Sequence, residues 1–109
     1  MHELSLTESV VQAIRDRLGD ARVKRVRIEV GRLTAVVPDA MRFCFDVCTQ
    51  GTPLEGAVLE IDEIAARARC NACGVESVLD GVVALCACGS ADLDLLAGRE
   101  LQIRQVEVA

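Results

Sequence analysis

The chain has 109 residues, 51% of them hydrophobic, only two aromatic (Phe43 and Phe45) and a formal net charge of −5. That is one domain's worth of chain, too apolar for disorder, yet any piece of it falls near the ~40 residues below which a metal or disulfide is usually required. The longest apolar run, Val82 to Cys88, has seven residues, far short of the roughly 18 that a membrane span needs. The amino terminus lacks the pattern of an export signal, so the expected location is the cytoplasm. With 12 basic residues scattered among 17 acidic ones, no basic stripe is available for phosphates, and neither nucleic acid nor a membrane is expected as a partner.

Ser5 and Glu8 have the spacing of a capping box, and Leu6, Val10, Ile14 and Leu18 recur every four residues until Gly19, which predicts an amphipathic helix of about thirteen residues. From Val23 to Val30 the period becomes two, with Val26, Ile28 and Val30 on one face and Arg25, Arg27 and Glu29 on the other, the pattern of a half-exposed strand. Pro38 suits a first helical turn, Asp39 adds a carboxylate where the dipole favours it, and Met41, Phe45 and Cys48 make a stripe; a second helix is expected over 39–50. Leu59 and Ile61 alternate with Glu60 and Asp62, and alternation returns at Leu101 and Ile103, giving two further strands. In the last of them the apolar phase slips to Val106 and Val108, which predicts a bulge or a frayed end near Gln105. The expected fold class is α+β: a small three-stranded sheet with two helices plus an inserted zinc-ribbon-like module. The body is assigned to residues 1–66 and 98–109, and the module to 67–97.

Four of the six cysteines fall in that module. Cys70-Asn71-Ala72-Cys73-Gly74 is a knuckle whose two thiolates can face one ion, and Cys86-Ala87-Cys88-Gly89 supplies a second pair twelve residues on. Four thiolates in a tetrahedron about 2.3 Å from the ion suit structural zinc. A redox dithiol, an iron centre, or a site that takes one ligand from elsewhere are the other readings of the same residues. Cys44 and Cys48 lie four apart on the second helix, so they share a face that could hold metal, although free cysteine beside Met41 and Phe45 reads first as core packing.

His2 is the only histidine, which makes Ser-His-Asp or Cys-His catalysis improbable. A histidine beside a chain terminus is ordinarily solvated. The chemical alternative is that the α-amine of Met1, the amide nitrogen of His2 and its imidazole close adjacent chelate rings, with the amide of Glu3 completing a square plane of the kind Ni(II) and Cu(II) prefer. Glu3 has two further readings, a metal-binding carboxylate or a solvated side chain ahead of the helix.

Several segments together resemble one family. The opening Met1-His2-Glu3-Leu4-Ser5-Leu6, the segment Ile28-Glu29-Val30-Gly31-Arg32-Leu33, the stretch Gly51-Thr52-Pro53-Leu54-Glu55-Gly56-Ala57, the CxxC pair, Cys88-Gly89-Ser90, and the terminal Gly98-Arg99-Glu100-Leu101 to Val106-Glu107-Val108 are similar to the HypA/HybF hydrogenase maturation proteins. The resemblance implies a nickel metallochaperone that binds Ni(II) at His2, with Met1 (through its amine) and Glu3 as further ligands, and that holds structural zinc on Cys70, Cys73, Cys86 and Cys88. It also implies a HypB-type maturation GTPase and the hydrogenase large subunit precursor as partners. No GxxxxGK[ST] loop is present in the chain, so nucleotide chemistry must come from such a partner. The family usually shows a CPxC second pair where this chain has Cys86-Ala87-Cys88, a departure that bears on the geometry of the zinc site.

The expected role is therefore a carrier and not an enzyme. The rival from another class is a zinc-ribbon interaction adaptor without nickel function, which a basic or aromatic face would favour; residues 70–98 contain no Lys, Arg or aromatic residue. A redox enzyme using Cys70 and Cys73 is the third reading. A homodimer that exchanges the re-entrant strand is allowed by the sequence without being required.

Overall fold

The computed structural model describes residues 2–79 and 85–109. Its elements in chain order are α1 (His2–Leu18), β1 (Val23–Gly31), a 3-10 turn (Arg32–Thr34), α2 (Pro38–Cys48), β2 (Val58–Ile64), β3 (Ala66–Cys70), β4 (Glu76–Leu79), β5 (Leu93–Ala97) and β6 (Leu101–Val108). They form two three-stranded sheets, β2-β1-β6 and β4-β3-β5. The chain divides into two compact units: one runs up to Glu29 and adds Val36–Asp62 and Gln102–Ala109, and the other joins Val30–Ala35 to Glu63–Leu101.

The first unit is built as the alternation on β1 requires. Val23, Val26 and Ile28 are buried and Lys24, Arg25 and Arg27 exposed. In the same unit Val10, Val11 and Ile14 of α1 and Met41, Cys44 and Phe45 of α2 are buried, and the two helices pack on each other. Each large aliphatic or aromatic side chain so placed is worth about 1.5–3 kcal/mol of transfer free energy. The other aromatic, Phe43, is on the outer face of α2 and 69% exposed.

Strand directions follow from the pairing. Arg25 meets Glu60 at 3.0 Å and Arg27 meets Asp62 at 2.7 Å, so the residue numbers of β1 and β2 advance together and the two strands are parallel. A parallel pair needs a long crossover, and α2 supplies it. On the other side Gly31 N–H donates to Glu100 O and Ala109 N–H to Arg22 O, both at 2.9 Å, which makes β6 antiparallel to β1.

Three expectations are corrected. Helix α1 has 17 residues and starts at His2, so Ser5 is inside it and not a cap. Its first described turn is held from outside at Glu3: the carboxylate accepts the Val37 N–H at 3.2 Å, while the carbonyl accepts the buried Thr7 hydroxyl at 2.6 Å. The last strand has no net slip near Gln105, since the hydrogen bonds at the two ends of the β1/β6 pair have the same register. Strand β6 lies at the sheet edge, with Ile103 and Val108 exposed, so its apolar phase is not held to one buried face. The irregularity is instead in the β3/β5 pair, between Arg67 and Ala68.

In the second unit, β3 pairs antiparallel with both neighbours, Arg69 facing Glu76 of β4 and Asp94 of β5. Strand β3 buries Ala66, Ala68 and Cys70 and exposes Arg67 and Arg69. Two glycines pack backbone on backbone in this unit: Gly98, at φ +105°, lies against Ala66, and Gly31 lies against Gly98. Leu33 N–H donates to Gly98 O at 2.8 Å. Among the described residues no helix is long and apolar enough to cross a membrane. The apolar run Val82 to Cys88 is described only from Leu85 onward.

Candidate metal centre

Cys70 is the last residue of β3, and the chain turns at once: Gly74 N–H donates to Cys70 O at 2.8 Å and Cys70 N–H to Val75 O at 2.9 Å. Gly74 has φ +78°, the left-handed region that glycine enters without penalty. The second pair folds one residue tighter. Gly89 N–H donates to Cys86 O, and Cys86 N–H to Ser90 O, both at 2.9 Å, with Gly89 at φ +91°. The CxC spacing is thus absorbed by a three-residue hydrogen-bond step in place of the four-residue step of the first knuckle. Asn71 clamps one loop to the other, its N–H to Asp92 O at 2.9 Å and its Nδ2 to Asp92 Oδ1 at 3.1 Å. Neither residue stands out in the sequence as part of the site.

All four sulfurs lie within 4.8 Å of one another. Cys73 Sγ is 3.5 Å from Cys86 Sγ, and Cys70 Sγ is 3.7 Å from Cys88 Sγ. A regular tetrahedron of thiolates about 2.3 Å from its centre has sulfurs about 3.8 Å apart, so the donor set fits one four-coordinate metal ion with no open position. Cys70 and Cys86 are buried, Cys73 and Cys88 exposed. The Cys73 and Ala72 N–H groups point at the Cys70 sulfur and, with Cys73 and Cys88 as thiol donors, bring its pKa down to about 6 against the pull of burial. Cys73 goes the other way, to about 12: the Val75 N–H favours its thiolate, but sharing hydrogens with Cys86 and Cys70, together with burial, outweighs that bond. A cluster that holds negative charge on one sulfur and crowds the others is one that a dication relieves.

The other singled-out residues are placed as follows. His2 is in the first turn of α1, half exposed, with Nε2 3.5 Å from Glu3 Oε2. The Val37 N–H holds the Glu3 carboxyl below its ordinary range. Met1 lies outside the described residues. Cys44 is buried and Cys48 half-buried on α2, and they belong to no group of three or more metal-binding side chains among the described residues. Burial pushes the Cys48 thiol up, and Glu8 and Cys44 add to it. Cys48 is therefore expected to alkylate more slowly than a free cysteine near neutral pH, because the thiolate is the nucleophile, and Glu8→Gln should speed the reaction. Mass-spectrometric labelling kinetics read both; a free-cysteine rate at Cys48 would contradict them.

The family profile described as "Hydrogenase/urease nickel incorporation, metallochaperone, hypA" matches residues 1–108. The chain belongs to the HypA family. Relatives named hydrogenase maturation factor HypA include that of Trichormus variabilis, 50% identical over 99% of this chain and 96% of the relative, and that of Geotalea uraniireducens, 44% identical over 99% of each. The solution structure of the Ni metallochaperone HypA from Helicobacter pylori superposes with a TM-score of 0.70 over 97% of this chain and 96% of that one, at 17% identity, a likeness of fold. HypA proteins are maturation factors that incorporate nickel into hydrogenase, carriers rather than catalysts, and they act with the maturation machinery. In this HypA chain Cys70, Cys73, Cys86 and Cys88 form a group that could hold one metal ion.

Proposed function

We propose that the chain carries Ni(II) at its amino terminus and delivers it, with a HypB-type GTPase, to the hydrogenase large subunit precursor in the cytoplasm. The ligands are the Met1 amine, the amide and imidazole nitrogens of His2, and a fourth donor from Glu3. One observation carries the reading: His2 and Glu3 occupy the first turn of a helix, where backbone N–H groups have no intrahelical acceptor. Their amide nitrogens are therefore available to a metal without any loss of helical hydrogen bonds. The body, residues 1–66 and 98–109, is the nickel-carrying part. The module, residues 67–97, holds zinc on Cys70, Cys73, Cys86 and Cys88, where the ion acts as a structural cross-link and does no chemistry.

Calorimetric titration of Ni(II) into zinc-loaded protein with its native amino terminus, beside His2→Ala, tests this. Tight binding in the parent chain and its loss in the variant is the expected result. Equal binding in both, or none in either, would leave a zinc-stabilised interaction adaptor and remove the nickel assignment.

A further inference from the structure

We infer that Glu3 is a positioning residue for the nickel end: it anchors His2 through its carboxylate, which is not itself a nickel ligand. The inference rests on the nickel reading above and goes beyond it by giving Glu3 a separate task. A single oxygen, Glu3 Oε2, makes two contacts. It accepts the Val37 N–H at 3.2 Å and lies 3.5 Å from His2 Nε2. The Glu3 side chain is only 14% exposed, against 50% for His2.

Val37 is the N-cap of α2, at φ −90° and ψ 113°, with its carbonyl accepting the Met41 N–H at 3.0 Å. Its own N–H has no partner inside the helix to compete with Glu3. The carboxylate therefore ties the first turn of α1 to the start of α2, two elements of the same compact unit. The contact with His2 is made at Nε2 and not at Nδ1. A chelate ring through the His2 amide closes on Nδ1, the nearer nitrogen. A carboxylate on the remote nitrogen of a metal-binding histidine fixes its tautomer and ring orientation. Drawn into the metal's coordination through Oε2, the Glu3 carboxylate would forfeit both contacts.

Three variants separate anchoring from ligation. Glu3→Gln keeps an acceptor oxygen in place. Glu3→Ala removes it. Val37→Pro removes the donor while leaving the carboxylate free, at an extended position whose φ of −90° need shift by only about 10–25° to enter proline's range. Without nickel, the Val37 amide should exchange with solvent faster in Glu3→Ala than in the parent chain or in Glu3→Gln. With nickel, Glu3→Ala and Val37→Pro should bind 10–100-fold more weakly, on the order seen for losing a partner of a metal-binding histidine, while Glu3→Gln stays close to the parent chain and keeps its visible nickel absorption band. Glu3→Gln as weak as Glu3→Ala, beside Val37→Pro at parent affinity, would make the carboxylate a ligand and overturn the inference. So would unchanged Val37 exchange in Glu3→Ala. A parent chain that binds no nickel overturns the carrier reading; a parent chain that binds it, with Glu3→Ala equally tight, overturns only the inference.

Discussion

Cys70→Ala should strip the metal from the chain and unfold β3, β4 and β5 together. These strands have five, four and five residues, and the residues that β3 buries are two alanines and Cys70 itself. Val75, Val78, Leu95 and Leu96 are exposed, so little apolar surface leaves the water when this sheet forms. Structural zinc in small domains supplies about 10–16 kcal/mol of apparent binding free energy at neutral pH, more than the whole stability of most domains. Removing one thiolate leaves three ligands, two of them exposed, and the remaining carbonyl and amide bonds of the knuckles are not enough to hold the turns. Metal analysis and amide exchange check this: the variant, and the parent chain after exhaustive chelation, should both lose protection over Ala66–Cys70. Helical circular dichroism from α1 and α2 should largely remain. Protection of β3 that survives chelation would mean that the cluster does not hold the sheet.

Gly31→Ala should cost about 3 kcal/mol or more, at the upper end of what overpacking exacts. The backbone of Gly31 has φ −68° and ψ 140°, which any residue adopts, so conformational freedom is not the reason for a glycine. The reason is contact: a Cβ there would lie 2.1 Å from the carbonyl carbon and oxygen of Gly98 and 2.6 Å from Arg99 N. All three are backbone atoms, which cannot swing aside as a side chain would. The bonds Gly31 N–H to Glu100 O and Leu33 N–H to Gly98 O fix the same approach from both sides. At about 4–8 °C per kcal/mol for a domain of this size, the melting temperature should fall by more than 10 °C. Gly19→Ala is the comparison: a Cβ there meets nothing within 4 Å, and only its φ of +58° resists, for a cost of about 1–2 kcal/mol. Similar melting temperatures for the two variants would remove the steric account.

What could be read from the sequence was what local chemistry determines. The alternation at Val26, Ile28 and Val30 named the buried face of β1, and the paired spacing of Cys70, Cys73, Cys86 and Cys88 picked out the four sulfurs that come together. Strand β3 carried a period-two pattern of its own, Ala66-Arg67-Ala68-Arg69-Cys70, but alanine is a weak strand signal and the burial it marks is completed by sulfur. The parallel order of β1 and β2 rests on pairs 35 residues apart in the chain, Arg27 with Asp62 among them, which no local pattern reveals. The first described turn of α1 is held by the Glu3–Val37 bond across 34 residues, and the capping-box spacing at Ser5 pointed inside the helix. The donor in that bond, Val37, was marked only by the proline after it.

The close approach of Gly98 to Ala66 also bears on how the chain folds. Strand β6 must find β1 from far along the sequence, as the Arg104–Glu29 ion pair across 75 residues illustrates. Closing a floppy loop of about thirty residues between Ala66 and Gly98 would cost about 3 kcal/mol of chain entropy. Pairing of β3 with β5 shuts that loop within its own unit. An ion that gathers Cys70, Cys73, Cys86 and Cys88 would shut most of the same loop from within, so refolding is expected to be slower after chelation than with the ion present.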